Sequence, residues 1–203
     1  MILFTKKVVQ VVKVLGINGS PRVNSSTEHL LELALKGAEK EGAEIKELRL
    51  SEHPLPPCDG CVSYYGTCNL EECIKHGDEN TAYVLKTLIN SDVLIFATPV
   101  YWFGPSGLLK NLIDRMTSLE HKQKILDGRV GGIICSYEEE GASMTISQLF
   151  LALSDMGLLF PPYAYTYNRG REVDELTIKY AFQLGTNTVE LFKKIKGTKW
   201  WRD

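Results

Sequence analysis

The fold is decided by Val8-Val9-Gln10-Val11-Val12-Lys13-Val14-Leu15-Gly16-Ile17-Asn18-Gly19, which is followed directly by Ser20-Pro21-Arg22-Val23-Asn24-Ser25-Ser26-Thr27. The first part is a largely apolar run that ends in glycine, as is typical of a strand buried in a parallel sheet. From Leu30 to Ala38 apolar residues recur at helical spacing, and Ser25-x-x-Glu28 is the signature of a helix N-terminus. The sequence therefore predicts a strand, a hydroxyl-rich turn and a helix in direct succession.

The hydroxyl-rich turn has two interpretations. The first turn of a helix attracts anions through its free backbone N–H groups, and Ser20, Ser26 and Thr27 can add hydroxyl donors, so the turn can bind a phosphate. The same residues can equally serve as a simple helix cap. Because the turn contains neither G-x-x-x-x-G-K-[ST] nor G-x-G-x-x-G, a monophosphate is favoured over a nucleoside triphosphate or a dinucleotide.

Length and composition indicate one globular domain over residues 1–203. The chain is 44% hydrophobic and 24% charged, and its formal net charge is -2. A protein that binds nucleic acid needs a basic face, and a membrane span needs a longer apolar run than any in this sequence. Neither kind of partner is expected, and we expect a cytoplasmic protein.

Strand and helix patterns alternate along the rest of the chain. Further strands are predicted at about 43–50, 92–98, 129–136 and 158–160, and further helices at about 79–90, 108–116, 143–156 and 172–196. The third strand is expected to stop at Pro99, and a loop rich in proline and cysteine is expected to cover about 51–77. This order predicts an α/β protein with a parallel sheet covered on both faces, whose ligand lies at the carboxyl ends of the strands.

A second candidate loop follows the third strand. It contains Pro99, Val100, Tyr101, Trp102 and Phe103, and it is bounded by prolines and glycines. Aromatic side chains held in this way can form a wall for a flat ring, with backbone N–H groups at the ring edge. The same cluster can also belong to a core or to a subunit interface, where aromatic residues are common.

The combined motifs resemble the NADPH-dependent FMN reductase family. They are Gly19-Ser20-Pro21-Arg22-x-Asn24-Ser25-Ser26-Thr27, Thr98-Pro99-Val100-Tyr101-Trp102-Phe103-Gly104 and Gly107-Leu108-Leu109-Lys110-Asn111-x-x-Asp114-Arg115. The resemblance covers roughly residues 11 to 160. Cys58-Asp59-Gly60-Cys61 makes the chain most similar to the branch that includes the iron–sulfur flavoproteins.

The resemblance implies a flavodoxin-like three-layer sandwich with five parallel strands in the order 2-1-3-4-5. It also implies that FMN is bound through its phosphate and its ring by Ser20, Arg22, Asn24, Ser26, Thr27, Pro99, Val100, Tyr101, Trp102 and Phe103. The loop after the fourth strand completes the site in relatives, which here implies Ser136, Tyr137, Glu140 and Gly141. Glu138-Glu139-Glu140 can also be a solvated charge run. A homodimer or homotetramer is implied as well.

The implied function is an FMN-dependent NAD(P)H oxidoreductase. Hydride would pass from NAD(P)H to the flavin, and electrons would then pass to a small-molecule or protein acceptor. The flavin supplies the chemistry, so no catalytic side chain is expected. Two alternatives remain, namely an electron-transfer iron–sulfur flavoprotein with a [4Fe–4S] cluster and a flavin-binding module without enzymatic activity.

The cysteine spacing bears on the choice between the oxidoreductase and the iron–sulfur flavoprotein. Cys58, Cys61, Cys68 and Cys73 form a C-x2-C-x6-C-x4-C pattern, whereas the iron–sulfur flavoproteins use a C-x2-C-x2-C-x4-7-C set, whose third position is Tyr64 here. The four thiols can hold a [4Fe–4S] cluster, can hold zinc with His76 as a substitute ligand, or can bind no metal. Cys135, in the predicted fourth strand, is expected to be a small buried apolar residue.

Overall fold

A six-stranded sheet with helices on both faces forms the centre of the protein. The computed structural model describes residues 11–62 and 68–201. The strands are β1 (Lys13–Asn18), β2 (Glu44–Arg49), β3 (Val93–Tyr101), β4 (Gly104–Pro105), β5 (Val130–Tyr137) and β6 (Tyr165–Arg169). The helices are α1 (Ser26–Lys40), α2 (Leu70–His76), α3 (Glu79–Ile89), α4 (Gly107–Arg115), α5 (Thr117–Glu120), α6 (Ala142–Asp155) and α7 (Glu175–Ile195).

The strand order of the sheet is β2-β1-β3-β5-β6, and every neighbouring pair in this path is parallel. The short strand β4 lies off the path and pairs antiparallel with the end of β3. The five long strands therefore have the predicted 2-1-3-4-5 order, and β4 is an addition to the predicted five-stranded sheet.

The sheet separates two apolar layers, because successive strand residues point to opposite faces. On β3, Leu94 and Phe96 belong to one layer, whereas Val93, Ile95 and Ala97 belong to the other. Helices α3, α4 and α6 cover the first face, and α1 and α7 cover the second. This arrangement confirms the three-layer sandwich.

Helices α1 and α7 approach each other closely at two glycines. A Cβ atom on Gly37 would overlap the Phe182 carbonyl, and one on Gly185 would overlap the Ala34 carbonyl. The absence of side chains at these positions lets the two backbones pack directly against each other on this face of the sheet.

Two predicted strand limits differ from the structure. The third strand continues through Pro99 to Tyr101, because Pro99 is the last residue paired with β5 and the chain then forms a hairpin with β4. Residues 158–160 form only a bridge, between Leu159 and Val130. The fifth long strand is β6, an edge strand with alternating exposed and buried residues, which lacks the continuous apolar run that predicts a buried strand.

The predicted loop at about 51–77 contains helix α2. Asn69 caps this helix by accepting a hydrogen bond from the Glu72 N–H at 3.0 Å, and Cys73 faces the core. The other predicted helices and strands agree with the structure to within a few residues, apart from residues 8–10, which lie outside the described part of the chain. Within the described residues, no helix combines the length and apolar character needed to cross a membrane.

Candidate active site

The first loop (residues 19–25) is shaped by its own hydrogen bonds. The backbone N–H of Ser20 donates to Oδ1 of Asn18 at 2.9 Å. The Oγ of Ser20, a buried residue, accepts from the Arg22 N–H at 3.2 Å and donates to the Arg22 carbonyl at 3.3 Å. The Ser20 hydroxyl thus holds the turn, and the Arg22 side chain extends from an exposed position.

Helix α1 begins directly behind this loop. Asn24 has a left-handed φ of 54°, and Ser25 caps the helix by accepting from the Glu28 N–H at 3.2 Å. Ser26 and Thr27 are the first residues after the cap, so their backbone N–H groups have no partner within the helix. The side of the loop that carries Asn24, Ser25 and Ser26 borders a surface hollow. A phosphate in that hollow meets the positive end of the helix dipole.

The carboxylate of Glu28 lies beside the first loop and is neutralised by Arg49. Glu28 accepts from the Asn24 N–H at 2.6 Å and forms an ion pair with the Arg49 guanidinium. Arg49 also donates to the Arg22 carbonyl at 3.4 Å. It reaches the loop because the last residues of β1 and β2, Asn18 and Arg49, are paired in register. The Glu28 carboxylate is therefore paired, whereas the exposed Glu32, which lines the same surface hollow, has no ion pair among the described residues.

The second loop (residues 98–106) carries exposed aromatic rings on a strained turn. Trp102 and Phe103 have left-handed φ values of 48° and 64°, a conformation that bulky side chains rarely adopt. Trp102 is 95% exposed, and Tyr101 and Phe103 are 43% and 47% exposed. Strained, exposed aromatic residues of this kind are typical of ligand sites, where the surrounding structure maintains the strain.

Hydrogen bonds connect the first two loops. The Ser106 N–H donates to Oγ1 of Thr98 at 3.0 Å, and the Ser106 hydroxyl donates to the Gly19 carbonyl at 2.7 Å. The Gly19 N–H donates to the Ala97 carbonyl at 2.8 Å. Ser106 also caps α4, so the two loops and this helix are held in fixed relative positions.

The third loop (residues 136–141) packs against the second. Gly141 has a φ of 101°, and a Cβ atom there would lie 3.0 Å from Cα of Phe103 and Cγ1 of Val100. Phe103, Glu140 and Gly141 line one hollow, together with Tyr167 of β6. The hydroxyl of the buried Ser136 has no hydrogen-bond partner among the described residues. Oγ1 of Thr145 and Nε2 of His121 are likewise buried without a partner among the described residues, and a ligand or a water is the usual partner of such a group.

The three loops meet because β1, β3 and β5 are neighbours in the sheet and all end at the same edge. The structure therefore brings the predicted residues of these loops to one region. Arg49, Ser106 and Tyr167 were missed by sequence reasoning. Arg49 carries a usable signal, since it ends a strand next to β1, but the roles of Ser106 and Tyr167 depend on tertiary contacts alone.

The segment that carries the cysteines, residues 55–62 and 68–73 (the cysteine segment), contacts the far end of α4, where Nη1 of Arg115 donates to Sγ of Cys73 at 3.5 Å. Cys68 and Cys73 are buried, and Cys58 and Cys61 are half-buried. Burial, followed by the nearby Cys61 thiol and smaller effects of Cys73 and Cys58, raises the pKa of Cys68 to about 12.

Within residues 11–62 and 68–201, no three histidine, cysteine or acidic side chains converge closely enough to chelate a single ion. The alternative zinc ligand His76 is exposed, and its Nε2 lies 3.5 Å from Glu72. Tyr64, which occupies the third position of the family spacing, lies outside the described residues. Cys135 is fully buried in β5, as predicted, and burial raises its pKa to about 12.

Comparison with known proteins resolves the family. Residues 12–171 match a family described as NADPH-dependent FMN reductase. The chain belongs to this family. An iron-sulfur flavoprotein of Archaeoglobus fulgidus is 33% identical over 89% of this chain and 80% of its own length. The iron-sulfur flavoprotein MJ1083 of Methanocaldococcus jannaschii is 30% identical over 91% of this chain and 99% of its own.

A solved structure supports the fold. The flavodoxin, WrbA-like protein of Agrobacterium tumefaciens superposes with a TM-score of 0.65 and 16% sequence identity, covering 91% of this chain and 99% of that protein. The flavodoxin-like fold and the resemblance to the FMN reductase family are therefore confirmed. Family membership also confirms the expected cofactors, FMN and NAD(P)H, and the expectation of an oxidoreductase enzyme.

The residues of the site fit FMN. The start of α1 offers N–H and hydroxyl donors for a phosphate, and the second loop offers exposed aromatic rings beside the same sheet edge. In the third loop, the unpartnered hydroxyl of Ser136 supplies a polar group. These are the three kinds of contact that a flavin mononucleotide requires, namely an anion site, a flat wall and polar groups at the ring edge.

Proposed function

We propose that this protein is an FMN-dependent NAD(P)H oxidoreductase that reduces a small-molecule or protein acceptor. The observation that carries the proposal is the convergence of three chemically suited loops at the ends of β1, β3 and β5. When bound, FMN supplies the ring that accepts hydride from NAD(P)H and passes electrons onward.

The first loop binds the phosphate in this proposal. Ser26 and Thr27 direct backbone N–H groups and hydroxyls from the helix start, and Arg22 adds a positive charge. Ser20 and Asn24 act mainly by shaping the backbone, since the Ser20 hydroxyl and the Asn24 N–H already have partners within the protein.

The second and third loops bind the ring. Pro99, Val100 and the aromatic residues 101–103 form the wall against which the ring lies, and the turn backbone faces its edge. Ser136 donates its free hydroxyl, Gly141 lets the third loop approach the second, and Glu140 stands exposed at the rim of the hollow. The chain positions the cofactor and contributes no catalytic side chain.

A second copy of the chain completes the site in this proposal. A groove of about 950 Å³ lies between α6 and β6, and its lining includes the exposed Phe150, Leu151, Tyr163 and Tyr165. Tyr167 lines both this groove and the hollow at Gly141, so the apolar surface continues into the proposed flavin site. Exposed apolar patches of this kind mark interaction sites.

The five free cysteines support a reducing compartment such as the cytoplasm.

Flavin binding is tested on the full chain purified without oxygen. We expect acid treatment to release FMN, and the protein to bind FMN much more tightly than riboflavin, which lacks the phosphate. Arg22→Gln should weaken FMN binding by about tenfold, as expected for one charge-assisted contact, and leave riboflavin binding unchanged. Lys36→Gln, the same charge change on an exposed position of α1, is the control. Equal affinity for both flavins would contradict the proposed phosphate site.

Turnover is measured on the same sample with NADH and NADPH, a quinone and ferricyanide. Oxidation of either nucleotide that depends on FMN supports the proposed reaction. Tight FMN binding without turnover for any acceptor would instead favour the flavin-binding module.

The second candidate function is electron transfer through an iron–sulfur cluster, and the four free cysteines between Cys58 and Cys73 favour it. Cys58, Cys61, Cys68 and Cys73 are the residues that would hold the cluster, and relatives named iron-sulfur flavoproteins match most of the chain. A [4Fe–4S] cluster would be held by these four thiolates and would supply one-electron transfer. Iron and sulfide assays on the anaerobic sample test this function, and a sample with FMN but no iron would reject it.

A further inference from the structure

Met144 is an exposed methionine in the first turn of α6. It is the third residue of this helix, and 54% of its surface is exposed. The third position of a helix favours glutamate or glutamine, which can complete the hydrogen bonding of the helix start. Helix α6 has no side-chain cap, and its first turn contains no acidic residue. The stability of the helix therefore does not explain why a methionine stands at this position.

Met144 lines the hollow at which the second and third loops meet. This hollow has a volume of about 280 Å³, and its lining also includes Phe103, Tyr137, Gly141 and Tyr167. A thioether is soft and apolar, so it suits a lining made largely of aromatic rings. Because the second and third loops bind the flavin ring in the proposed function, Met144 adjoins the place where the flavin is reduced and oxidised.

The two other methionines within residues 11–62 and 68–201 are shielded from solvent. Met116 is fully buried, and Met156 is 9% exposed. The fourth methionine of the chain, Met1, lies outside the described residues. An oxidant in solution must reach the sulfur before it can react with it. In the described part of the chain, Met144 is therefore the methionine most open to oxidation.

The proposed function supplies an oxidant at this hollow when dioxygen is present. Two electrons and two protons pass from the reduced flavin to dioxygen, which gives oxidised flavin and hydrogen peroxide. The methionine sulfur then attacks one peroxide oxygen, so that an S–O bond forms and the O–O bond breaks. The proton of the sulfur-bound oxygen passes to the departing hydroxide, which leaves as water. The products of this step are methionine sulfoxide and water.

We propose that Met144 is an oxidation site of this protein, converted to the sulfoxide by peroxide that forms in the adjoining flavin site. The sulfoxide is polar, whereas the thioether is apolar. Oxidation therefore changes the lining of the hollow, and turnover with an apolar acceptor falls as the sulfoxide accumulates. This inference rests on the first proposed function, because reduced FMN is the source of the peroxide.

A reference methionine far from the flavin site separates the effect of position from the effect of exposure. Val11 is 49% exposed and precedes β1, at the edge of the sheet opposite the three loops. Val11→Met therefore adds a methionine at a position whose exposure is close to that of Met144. Peroxide in solution reaches both positions, whereas peroxide formed in the flavin site meets Met144 first.

The test uses the full chain loaded with FMN and kept free of oxygen until the reaction starts. Val11→Met protein oxidises NAD(P)H with dioxygen as the acceptor, and catalase destroys the peroxide that escapes into solution. Peptide mass spectrometry measures the sulfoxide at each methionine separately from any oxidised cysteine. We expect the sulfoxide to form at least about fivefold faster at Met144 than at position 11. Peroxide added to the oxidised protein without NAD(P)H or catalase should instead oxidise the two positions at similar rates.

Met144→Leu tests the effect of the sulfoxide on turnover. Leucine is similar in volume to methionine and cannot form a sulfoxide. Turnover with a quinone is measured before and after a period of aerobic NAD(P)H oxidation, and each protein is compared with its own initial rate. We expect the unmodified protein to lose activity in parallel with sulfoxide formation at Met144, and methionine sulfoxide reductases to restore it. Met144→Leu should keep most of its initial rate.

The results that overturn the inference differ from those that overturn the proposed function. Equal sulfoxide formation at Met144 and at position 11 during turnover, or none at Met144, would reject the oxidation site and leave the oxidoreductase in place. Equal loss of activity in Met144→Leu and the unmodified protein would reject the effect on turnover.

Protein that binds FMN without oxidising NAD(P)H would reject the first proposed function. Light and EDTA can still reduce the bound flavin in that protein, so the comparison of the two methionine positions still decides the inference. Protein that binds no FMN would reject both.

Discussion

Two buried serines at the strand ends differ in whether their hydroxyls have partners. The Ser106 hydroxyl donates to Gly19 and accepts from the Leu109 N–H, so it joins two loops and caps a helix. The Ser136 hydroxyl has no partner among the described residues. Their energetic roles should therefore be opposite, since an unpaired buried hydroxyl costs stability and a paired one contributes it.

Ser136→Ala tests this difference directly. Without FMN, the variant should be as stable as the unmodified protein or slightly more stable, because no hydrogen bond is lost. Its affinity for FMN should fall by about five- to tenfold, the equivalent of roughly 1 to 1.4 kcal/mol. Ser106→Ala should instead lower the free energy of unfolding by about 1 to 3 kcal/mol. Chemical denaturation and flavin-fluorescence titration measure both quantities, and a destabilised Ser136→Ala protein would show that this hydroxyl is structural.

Gly141 combines a left-handed backbone with close packing. Its φ of 101° disfavours any other residue. A Cβ atom added there would lie 3.0 Å from atoms of Phe103 and Val100. Gly170 has a similar left-handed φ of 73°, but a Cβ atom added there would meet no atom within 4 Å apart from its chain neighbours. Comparing alanine variants of Gly141 and Gly170 therefore separates the cost of backbone strain from the cost of steric contact.

We expect Gly170→Ala to cost about 1 kcal/mol of unfolding free energy from strain alone. Gly141→Ala should cost more, and it should also weaken FMN binding because it displaces the second loop. Denaturation and FMN titration of both variants measure the difference. Equal stability and equal FMN affinity in the two variants would contradict the packing of the third loop against the second.

At the scale of elements, the C-terminal segment is attached to the loop before β5 through Asp127, whose carboxylate is buried and whose backbone carbonyl accepts from the Lys199 ammonium at 2.9 Å. Asp127 is 4% exposed and accepts from the Trp200 N–H at 3.0 Å and the Trp201 N–H at 3.4 Å. The ammonium group of Lys124 lies 4.2 Å from the centre of the Trp201 ring. The attachment depends on Asp127, since it supplies the acceptor for both backbone groups.

Asp127→Ala should detach this segment. Two N–H groups lose their partner, so we expect a loss of about 1 to 3 kcal/mol of unfolding free energy. Tryptic cleavage after Lys196 and Lys199 should become faster, and tryptophan emission should shift to longer wavelength. Asp155→Ala, at an exposed acidic residue, is the control and should change neither measurement. Unchanged cleavage in Asp127→Ala would show that other contacts hold the segment.

At the scale of the whole molecule, the sheet order leaves one side of the protein incompletely covered. β6 is an edge strand whose Tyr165 and Tyr167 side chains are half exposed, and α6 is the neighbouring helix that borders the groove. This uncovered face adjoins the proposed flavin site, which is why we assign it to contact between two copies of the chain.

Leu151→Glu tests the contact between copies. Leu151 is 69% exposed on the groove, and a charge buried in a subunit contact would be costly. We expect the unmodified protein to sediment as a dimer or tetramer, the variant as a monomer, and FMN affinity to fall in parallel. Val11→Glu, at a 49% exposed residue before β1, should keep the assembly. Sedimentation velocity decides, and a monomeric unmodified protein would reject the proposal.

The sequence determined most of the strands and helices and their succession along the chain, because apolar periodicity and helix caps are local properties. The run before Ser20 predicted β1, and Ser25 was correctly predicted as the cap of α1. β6 escaped prediction because an edge strand has no continuous apolar run. Helix α2 escaped because its support comes from Asn69 and from burial of Cys73 in the core.

Three site contacts were decided only by the tertiary structure. Arg49 reaches the first loop because β1 and β2 are in register, Ser106 because β1 and β3 are neighbours, and Arg115 because α4 packs on the cysteine segment. Residues far apart in sequence acquire partners through folding, and for Ser106 and Arg115 the pattern along the chain carries no signal of it. The sequence by itself therefore determined most of the elements and, through its resemblance to a family, the sheet order and the kind of cofactor. The folded chain decided which charges are neutralised and which hydroxyls remain free.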